Sequence, residues 1–391
     1  MLHIGKGYLS CAGGMTRLCA DVTIGDRRTT MWFGVDSDQE EYLTLGRADP
    51  FVMALLPSAM RGGHGIVCED LMSERLHYQL CRHLLPALAF AGGPYRAISI
   101  TAPLTAVPYR NQGAVGTGFS GGVDCLYTIM NHGPDSDLPL THLAMFDTGG
   151  LLPEHGPEKR ARFYNQAKRF AEERGLKTVS VCTNLEETLS NAEVRAKVYS
   201  FRDLARTLSL QGLFSVYLRS SGFDISNFAF NFQNPTYFEP LLVPCASTES
   251  TAFYLSGLPL KRYDKLKSLL DWEPSWRWLH SCQQGAPGEV NCGHCKKCVR
   301  DMAALYALDR LERYRAVYDV EDFKKHLAVR LGSALAKSDI CIYDEQAELL
   351  KKSGRPIPSA AWAYARQLER AMESLRVQEE KKGIGSLPVS L

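Results

Sequence analysis

Between Ala114 and Leu218 the chain repeats one rhythm, a short apolar run followed by an amphipathic stretch, and that rhythm leaves few folds open. Ala114 to Phe119, Thr141 to Phe146, Lys177 to Cys182 and Phe214 to Leu218 are apolar runs of strand length. Segments with helical spacing separate them: Val123 to His132, closed by Gly133-Pro134, then the stretch carrying Phe163, Ala167 and Phe170, closed by Gly175, then Glu186 to Leu210. The alternation predicts an α/β fold, a parallel sheet with helices on both faces. In such sheets ligands bind beyond the carboxyl ends of the strands. The residues to inspect are therefore Ser120 to Asp124, Asp147 to Gly150, Thr183-Asn184 and Arg219 to Ser221.

A chain of 391 residues is more than one core usually holds. Three parts are expected: an N-terminal α+β domain over 1–110, the α/β domain over 111–311, and C-terminal helices over 312–391. In the first, Leu18, Ala20, Val22 and Ile24 alternate with polar residues, Gly25-Asp26 supplies a turn, and Met31 and Phe33 resume the alternation, which predicts a hairpin. Leu71, Met72, Leu76, Leu80, Leu84 and Leu85 predict an amphipathic helix, and Tyr95 to Thr101 a strand. No chemical motif lies here; the part reads as a packing or homodimerisation domain, with substrate selection as the sharper alternative. Asn227 to Pro244, aromatic and Pro-rich, is either a substrate loop or a connector anchored by its rings. Ala246 to Ser250 is expected to open a short helix, where Ser247, Thr248 and Glu249 either cap it or touch a substrate. Phe323, Leu327 and Leu331, and then Trp362 to Leu375, predict terminal helices, with a frayed tail from Lys381.

The formal net charge of +2 gives no broad electrostatic footprint for nucleic acid, which is not an expected partner. No signal pattern or bilayer-length apolar run occurs, so no membrane partner is expected and the expected compartment is the cytoplasm. Twelve cysteines in such a chain point to free thiols and metal ligands rather than disulfides. Cys11, Cys19, Cys68 and Cys81 lack metal-like spacing and read as small apolar residues.

Two stretches carry chemistry. In the first, Thr117-Gly118-Phe119 runs into Ser120-Gly121-Gly122-Val123-Asp124-Cys125. Two glycines allow tight turning, and the helix that follows starts with unpaired N–H groups and a positive dipole end, which together make a cradle for phosphate. No Gly-Lys-Ser/Thr follows, so this is not a Walker loop. The second stretch is Cys282, Cys292, Cys295 and Cys298, a C-x9-C-x2-C-x2-C pattern with Gly293 in its knuckle. Four thiolates so spaced suit one tetrahedral Zn2+ in a closed, structural site. An iron–sulfur cluster uses the same ligand type, but the knuckle spacing favours zinc. His294 is a rival ligand whose plainer reading is an exposed knuckle residue.

Together these stretches resemble the PP-loop ATP pyrophosphatases (adenine nucleotide alpha-hydrolase-like, HUP-like fold), in particular the zinc-containing 7-cyano-7-deazaguanine synthase-like proteins and their relatives in natural-product and defence gene clusters. The resemblance spans about Ala114 to Leu311. It departs from the pattern in Cys125, where the motif ends in Ser, in the added N-terminal domain and in the aromatic loop.

The resemblance implies ATP and Mg2+ as cofactors beside Zn2+. A substrate oxygen would attack the α-phosphorus, pyrophosphate would leave, and a nitrogen nucleophile such as ammonia would replace AMP to give an amide or nitrile. A sulfur donor on the same scaffold would give a thioamide or thiocarbonyl, and a non-catalytic nucleotide-binding protein is the third reading. Ser120, Gly121, Gly122, Val123 and Asp124 would cradle the pyrophosphate, with Asp124 holding Mg2+; its plainer role is a helix-start acid worth ~0.3–1 kcal/mol. Met145 and Phe146 would pack against adenine, or simply fill the sheet core, with Asp147 near the ribose. Arg219, Arg300 and Lys296-Lys297 are candidates for phosphate contact, with exposed surface charge the plainer and preferred reading of the lysine pair. Ser220, Ser221, Ser247, Thr248 and Glu249 are candidates for the small-molecule substrate. Ser120, Asp124 and Cys125 are the candidate catalytic set. Cys125, at a helix start that favours thiolate, Cys182 and Cys245 are candidates for sulfur relay, with space-filling as the plainer role of Cys125.

Overall fold

A computed structural model describes residues 1–146, 157–185, 197–282, 290–336 and 341–381. The expected sites Asp147 to Gly150, and Glu186 to Ala196 of the expected third helix, lie outside these residues. Contact between residues divides the chain into two compact units. One is Met1–Phe119 with Thr128–Leu260, the other Ser120–Tyr127 with Lys261–Leu391.

The first unit is built on strands β1 (Leu2–Ile4), β2 (Tyr8–Ala12), β3 (Met15–Ile24), β4 (Arg27–Asp36), β5 (Ile66–Cys68), β6 (Met72–Ser73), β7 (Ile100–Thr101), β8 (Leu104–Thr105), β9 (Ala114–Gly118), β10 (His142–Phe146), β11 (Lys177–Thr183), β12 (Phe214–Ser220) and β13 (Ala252–Ser256). All but β6 and β8 join one sheet, in the order β13-β12-β9-β10-β11-β4-β3-β1-β5-β7, with β2 on β3. From β13 to β11 every pairing is parallel. This is an α/β fold with a mostly parallel central sheet flanked by helices, compatible with a Rossmann-like arrangement. In chain order the parallel strands run third, second, first, fourth, fifth, so the direction of winding reverses at β9. Such a reversal is where open α/β sheets bind ligands.

The expected hairpin is β3–β4, turned by Gly25 in the left-handed region with Ile24 paired to Arg27. Its alternation buries Leu18, Ala20, Val22, Met31 and Phe33. The hairpin does not head a separate domain, because β4 pairs antiparallel with β11 and extends the sheet, Cys182 opposite Gly34. The helix expected from Leu71 begins only at Glu74, where Ser73 Oγ accepts the Leu76 N–H at 2.9 Å. Leu71 is exposed outside it, while Leu76, Leu80, Leu84 and Leu88 are buried at a spacing of four through a π turn. The strand expected over Tyr95 to Thr101 shrinks to β7. The helix expected at Ala246 is instead a turn between helix Glu239–Cys245 and β13, an unexpected fifth parallel strand. Helix Asp49–Gly62, buried nearly all round, packs against helix Tyr199–Leu208.

The second unit holds the start of helix Val123–Asn131 and a helical array: Arg262–Leu269, Pro274–Trp278, Lys296–Ala307, Val320–Lys325, Leu327–Leu335, Cys341–Lys352 and Ser359–Lys381. Tyr314, Phe323, Leu331, Leu350 and Ala361 are buried in it, so the period of Phe323, Leu327 and Leu331 is a packing stripe in part, since Leu327 is only half-buried. No helix among the described residues is long and apolar enough to cross a membrane.

Asp49 supplies a pH test of the first unit. Its carboxylate is fully buried, accepting Ser73 N–H and Gln211 Nε2–H, each at 2.9 Å, and burial pushes its pKa up to about 6. A carboxyl with a raised folded pKa holds its proton more tightly in the native state. Its contribution is full below the unfolded value near 4 and is lost as pH climbs to about 6, roughly 3 kcal/mol over the window. Urea denaturation between about pH 4 and pH 6 is expected to lose most of this slope in Asp49→Asn.

Candidate functional site

The chain leaves β9 through Phe119 and turns at once into Ser120-Gly121-Gly122 before helix Val123–Asn131. Gly121 has φ 71°, and a Cβ there would lie 2.9 Å from His280 Cβ. Its carbonyl accepts the His280 N–H at 2.8 Å, so backbone conformation and close approach both require glycine. The Leu126 N–H donates to Gly122 O at 2.9 Å and closes the first helical turn. Gly122 N–H points to Ser120 Oγ at 3.4 Å, and Ser120 itself is exposed. Cys125 Sγ accepts the Ser120 N–H at 3.4 Å from inside the turn. Burial pushes the Cys125 thiol up, against the pull of the Ser120 and Gly121 N–H groups. The helix start therefore does not make it a thiolate; it fills and braces the turn. Val123 is buried beside it.

Asp124 lies in a charged cluster that no local pattern announces. Arg262 Nη1 donates to its Oδ2, and Lys265 Nζ lies 3.5 Å from its Oδ1. Both cations come from helix Arg262–Leu269, and their side chains are only 7% and 1% exposed. Arg262 also reaches Asp301 at 3.4 Å, which accepts from Arg300 Nε at 3.1 Å and from the Ser281 hydroxyl. Tyr318 Oη lies 3.2 Å from Ser281 Oγ. Burial would push the Asp301 carboxyl up, but Arg300, Arg262 and Ser281 together hold it below its ordinary value. Arg262, Lys265 and Arg300 bring three positive charges to the carboxylates of Asp124 and Asp301. Lys297 lies nearby: its amine, half-buried, is pushed down by burial and by Arg300 and Arg262. Lys296, by contrast, is exposed.

Ser281 is also the residue before the first thiol of the cysteine cluster. The sulfurs of Cys282, Cys292, Cys295 and Cys298 all lie within 4.8 Å of one another. Cys282 to Cys295 is 3.8 Å, Cys292 to Cys298 4.0 Å and Cys295 to Cys298 3.4 Å. A tetrahedron with metal–sulfur bonds of about 2.3 Å has edges of about 3.8 Å. The four thiols can thus hold a metal ion, consistent with zinc, in a space sized for one ion rather than a cluster. Buried Asn291 shapes it: Oδ1 accepts the N–H groups of Ser281 and Cys282, and Nδ2 donates to Leu279 O and Val317 O, all at 2.9–3.1 Å. Gly293 turns the knuckle with φ 74°, and the Cys295 N–H donates to Cys292 Sγ at 3.3 Å. His294 is exposed, its Nδ1 2.7 Å from Cys292 O, and is outside the ligand set.

The remaining expected residues belong to the first unit. Met145 and Phe146 are buried in β10, and the Phe146 ring stacks on Tyr217 at 6.3 Å, within the hydrophobic core. Asp147 lies outside the described residues. Arg219 is held by Glu239 at 2.7 Å and Asp203 at 3.1 Å, so its charge is already matched by two carboxylates. Ser221 donates to Phe223 O, whereas the buried Ser220 hydroxyl has no partner among the described residues. Ser247 Oγ accepts the Phe253 N–H, Thr248 Oγ1 accepts from Ser250 and Thr251 and donates to Gln211, and Glu249 accepts the Arg75 N–H. These three shape the turn into β13. Burial pushes the Cys245 thiol up to about 11, and Cys182 lies on β11. In the aromatic stretch Phe238 is core while Phe228 is exposed.

Arg262, Lys265, Asp301, Ser281, Tyr318 and Asn291 were not singled out by sequence. Only the spacing of Arg262 and Lys265, which sets both on one side of a helical turn, could have hinted at a shared partner. Two outcomes test the cluster. Asp301→Asn leaves Arg262 and Arg300 short of a buried counter-charge and is expected to lower unfolding free energy by about 3 kcal/mol in urea titration. Cys292→Ser is expected to strip the bound metal, read as metal per chain by elemental analysis; an unchanged content contradicts the ligand set. Comparison with protein-family models, curated proteins and solved structures returned no match to the chain.

Proposed function

We infer that the chain is an ATP-dependent ligase of the PP-loop ATP pyrophosphatase type, acting on a small molecule. One observation carries this reading: a glycine-bent turn at a helix start, with two buried cations, Arg262 and Lys265, beside its acid, Asp124. Backbone N–H groups at a helix N-terminus favour an anion, and buried cations strengthen that preference. A departing pyrophosphate is the anion that such a turn suits. The substrate oxygen attacks the α-phosphorus, the bond to the β-phosphate breaks, and the charge gained by pyrophosphate falls on the turn, Arg262 and Lys265. Ammonia or another nitrogen nucleophile then displaces AMP.

Mg2+, when bound, would neutralise phosphate oxygens, and Asp124 is the carboxylate that would hold it. In the described state both Asp124 oxygens face cations, so its release for the metal hands Arg262 and Lys265 to the phosphates. The four-thiol ion is read as zinc in a closed site, a clamp for the chain that carries Ser281 and Asp301 rather than a Lewis acid. Sulfur transfer is the weaker reading, because Cys125 is buried and its thiol is held protonated.

Pyrophosphate release from Mg-ATP, screened against carboxylate and heterocyclic metabolites with ammonia or sulfide, tests the proposal. Lys265→Met is expected to slow release about a hundredfold or more. No pyrophosphate with any substrate favours a non-catalytic nucleotide-binding protein, and turnover only with sulfide favours sulfur insertion.

A further inference from the structure

The first unit contains a cavity of about 320 Å³ that the ATP reading does not use. It opens at the amino-terminal end of β10 and β11, where His142 and Lys177 are paired as the first residues of the two strands. Gln39 and Tyr42, from the turn Ser37–Tyr42, form one wall, and Lys168 and Glu172, from helix Pro157–Glu173, form another. The volume suits a metabolite at the small end of ligand size.

Its polar groups sort by role. His142 is 8% exposed. The Thr141 hydroxyl donates its one proton to Val115 O at 3.1 Å, so at 2.8 Å it accepts from His142 Nδ1–H. The lone pair is then on Nε2, which has no partner among the described residues. Burial, with the Lys177 ammonium, pushes the His142 pKa down to about 4, so the ring is neutral near pH 7. Gln39 Nε2 donates to Thr178 O at 3.3 Å, and its Oε1 is buried without a partner. A buried acceptor left unmatched is costly, and Gln39 Oε1 is one, while His142 Nε2 adds an unpartnered acceptor that the cavity leaves open. Glu172 is a third acceptor, exposed at the rim. Against these stand the ammonium groups of Lys168 and Lys177 and the Tyr42 hydroxyl, which burial keeps protonated.

We propose that this cavity binds a free α-amino acid, its ammonium group donating to Gln39 Oε1, His142 Nε2 and Glu172, and its carboxylate held by Lys168, Lys177 and Tyr42. Three acceptors match the three N–H bonds of an ammonium group, and two cations match a carboxylate. A simple anion would satisfy the lysines but leave the buried Gln39 Oε1 unmatched and give His142 Nε2 nothing to accept. The site is formed wholly by the first unit, so it stands or falls independently of ATP chemistry at Ser120–Asp124.

Calorimetric titration of the full chain with the standard α-amino acids, and with acetate, methylammonium and inorganic phosphate, tests this. At least one amino acid is expected to bind with a Kd of about 1 mM or tighter, and each single-charge probe about tenfold more weakly or worse. Lys177→Glu and Glu172→Lys are each expected to weaken that binding about tenfold with Tm unchanged, because both side chains are exposed. Failure of every amino acid to bind, binding unmoved by both charge reversals, or phosphate binding as tightly as the best amino acid, overturns the proposal.

Discussion

Arg262 is the residue on which the candidate site depends. Its guanidinium spans two carboxylates, Asp124 at the glycine turn and Asp301 on helix Lys296–Ala307, from a position closed to solvent. A buried arginine needs its charge matched, and two acids from distant parts of the sequence supply that match through Nη1 and Nη2. The eight residues from Ser120 to Tyr127 thereby belong to the same compact unit as the chain after Lys261. The backbone repeats the link, since Gly121 O accepts the His280 N–H two residues before Cys282.

This arrangement ties the four thiols to the charged cluster through the chain between them. Asn291 and the ion that the sulfurs can hold set the path of Leu279 to Cys282, and Ser281 on that path donates to Asp301. The metal would then act through rigidity: a fixed Ser281 orients Asp301, which fixes Arg262, which holds Asp124. Each link is a charge-assisted bond in a poorly hydrated setting, where geometry is enforced more strongly than at the surface.

What the sequence made legible follows from periodicity and spacing. The first four parallel strands were readable because each is a short apolar run between breakers, and the thiol cluster because its spacing is local. Helix Asp49–Gly62 escaped because burial on nearly every side leaves no polar stripe to set a period. Strand β13 escaped because Thr251 to Ser256 mixes polar and aromatic residues with Tyr254 outward, at the sheet edge. The charged cluster was hidden for another reason: pairing across well over a hundred residues has no signature in either segment, and a buried lysine reads like an exposed one. Cys125 looked reactive on position alone, whereas its chemistry is set by the packing that encloses it.

The antiparallel joint between β11 and β4 has a consequence for how the chain tolerates cutting. Without β4, the outer rim of β11 would present unmatched N–H and C=O groups beside apolar side chains, an invitation to stick to other molecules. The leading hundred-odd residues thus act as a selvage for the parallel strands, and a fragment starting at Ala114 would be expected to clump rather than fold alone.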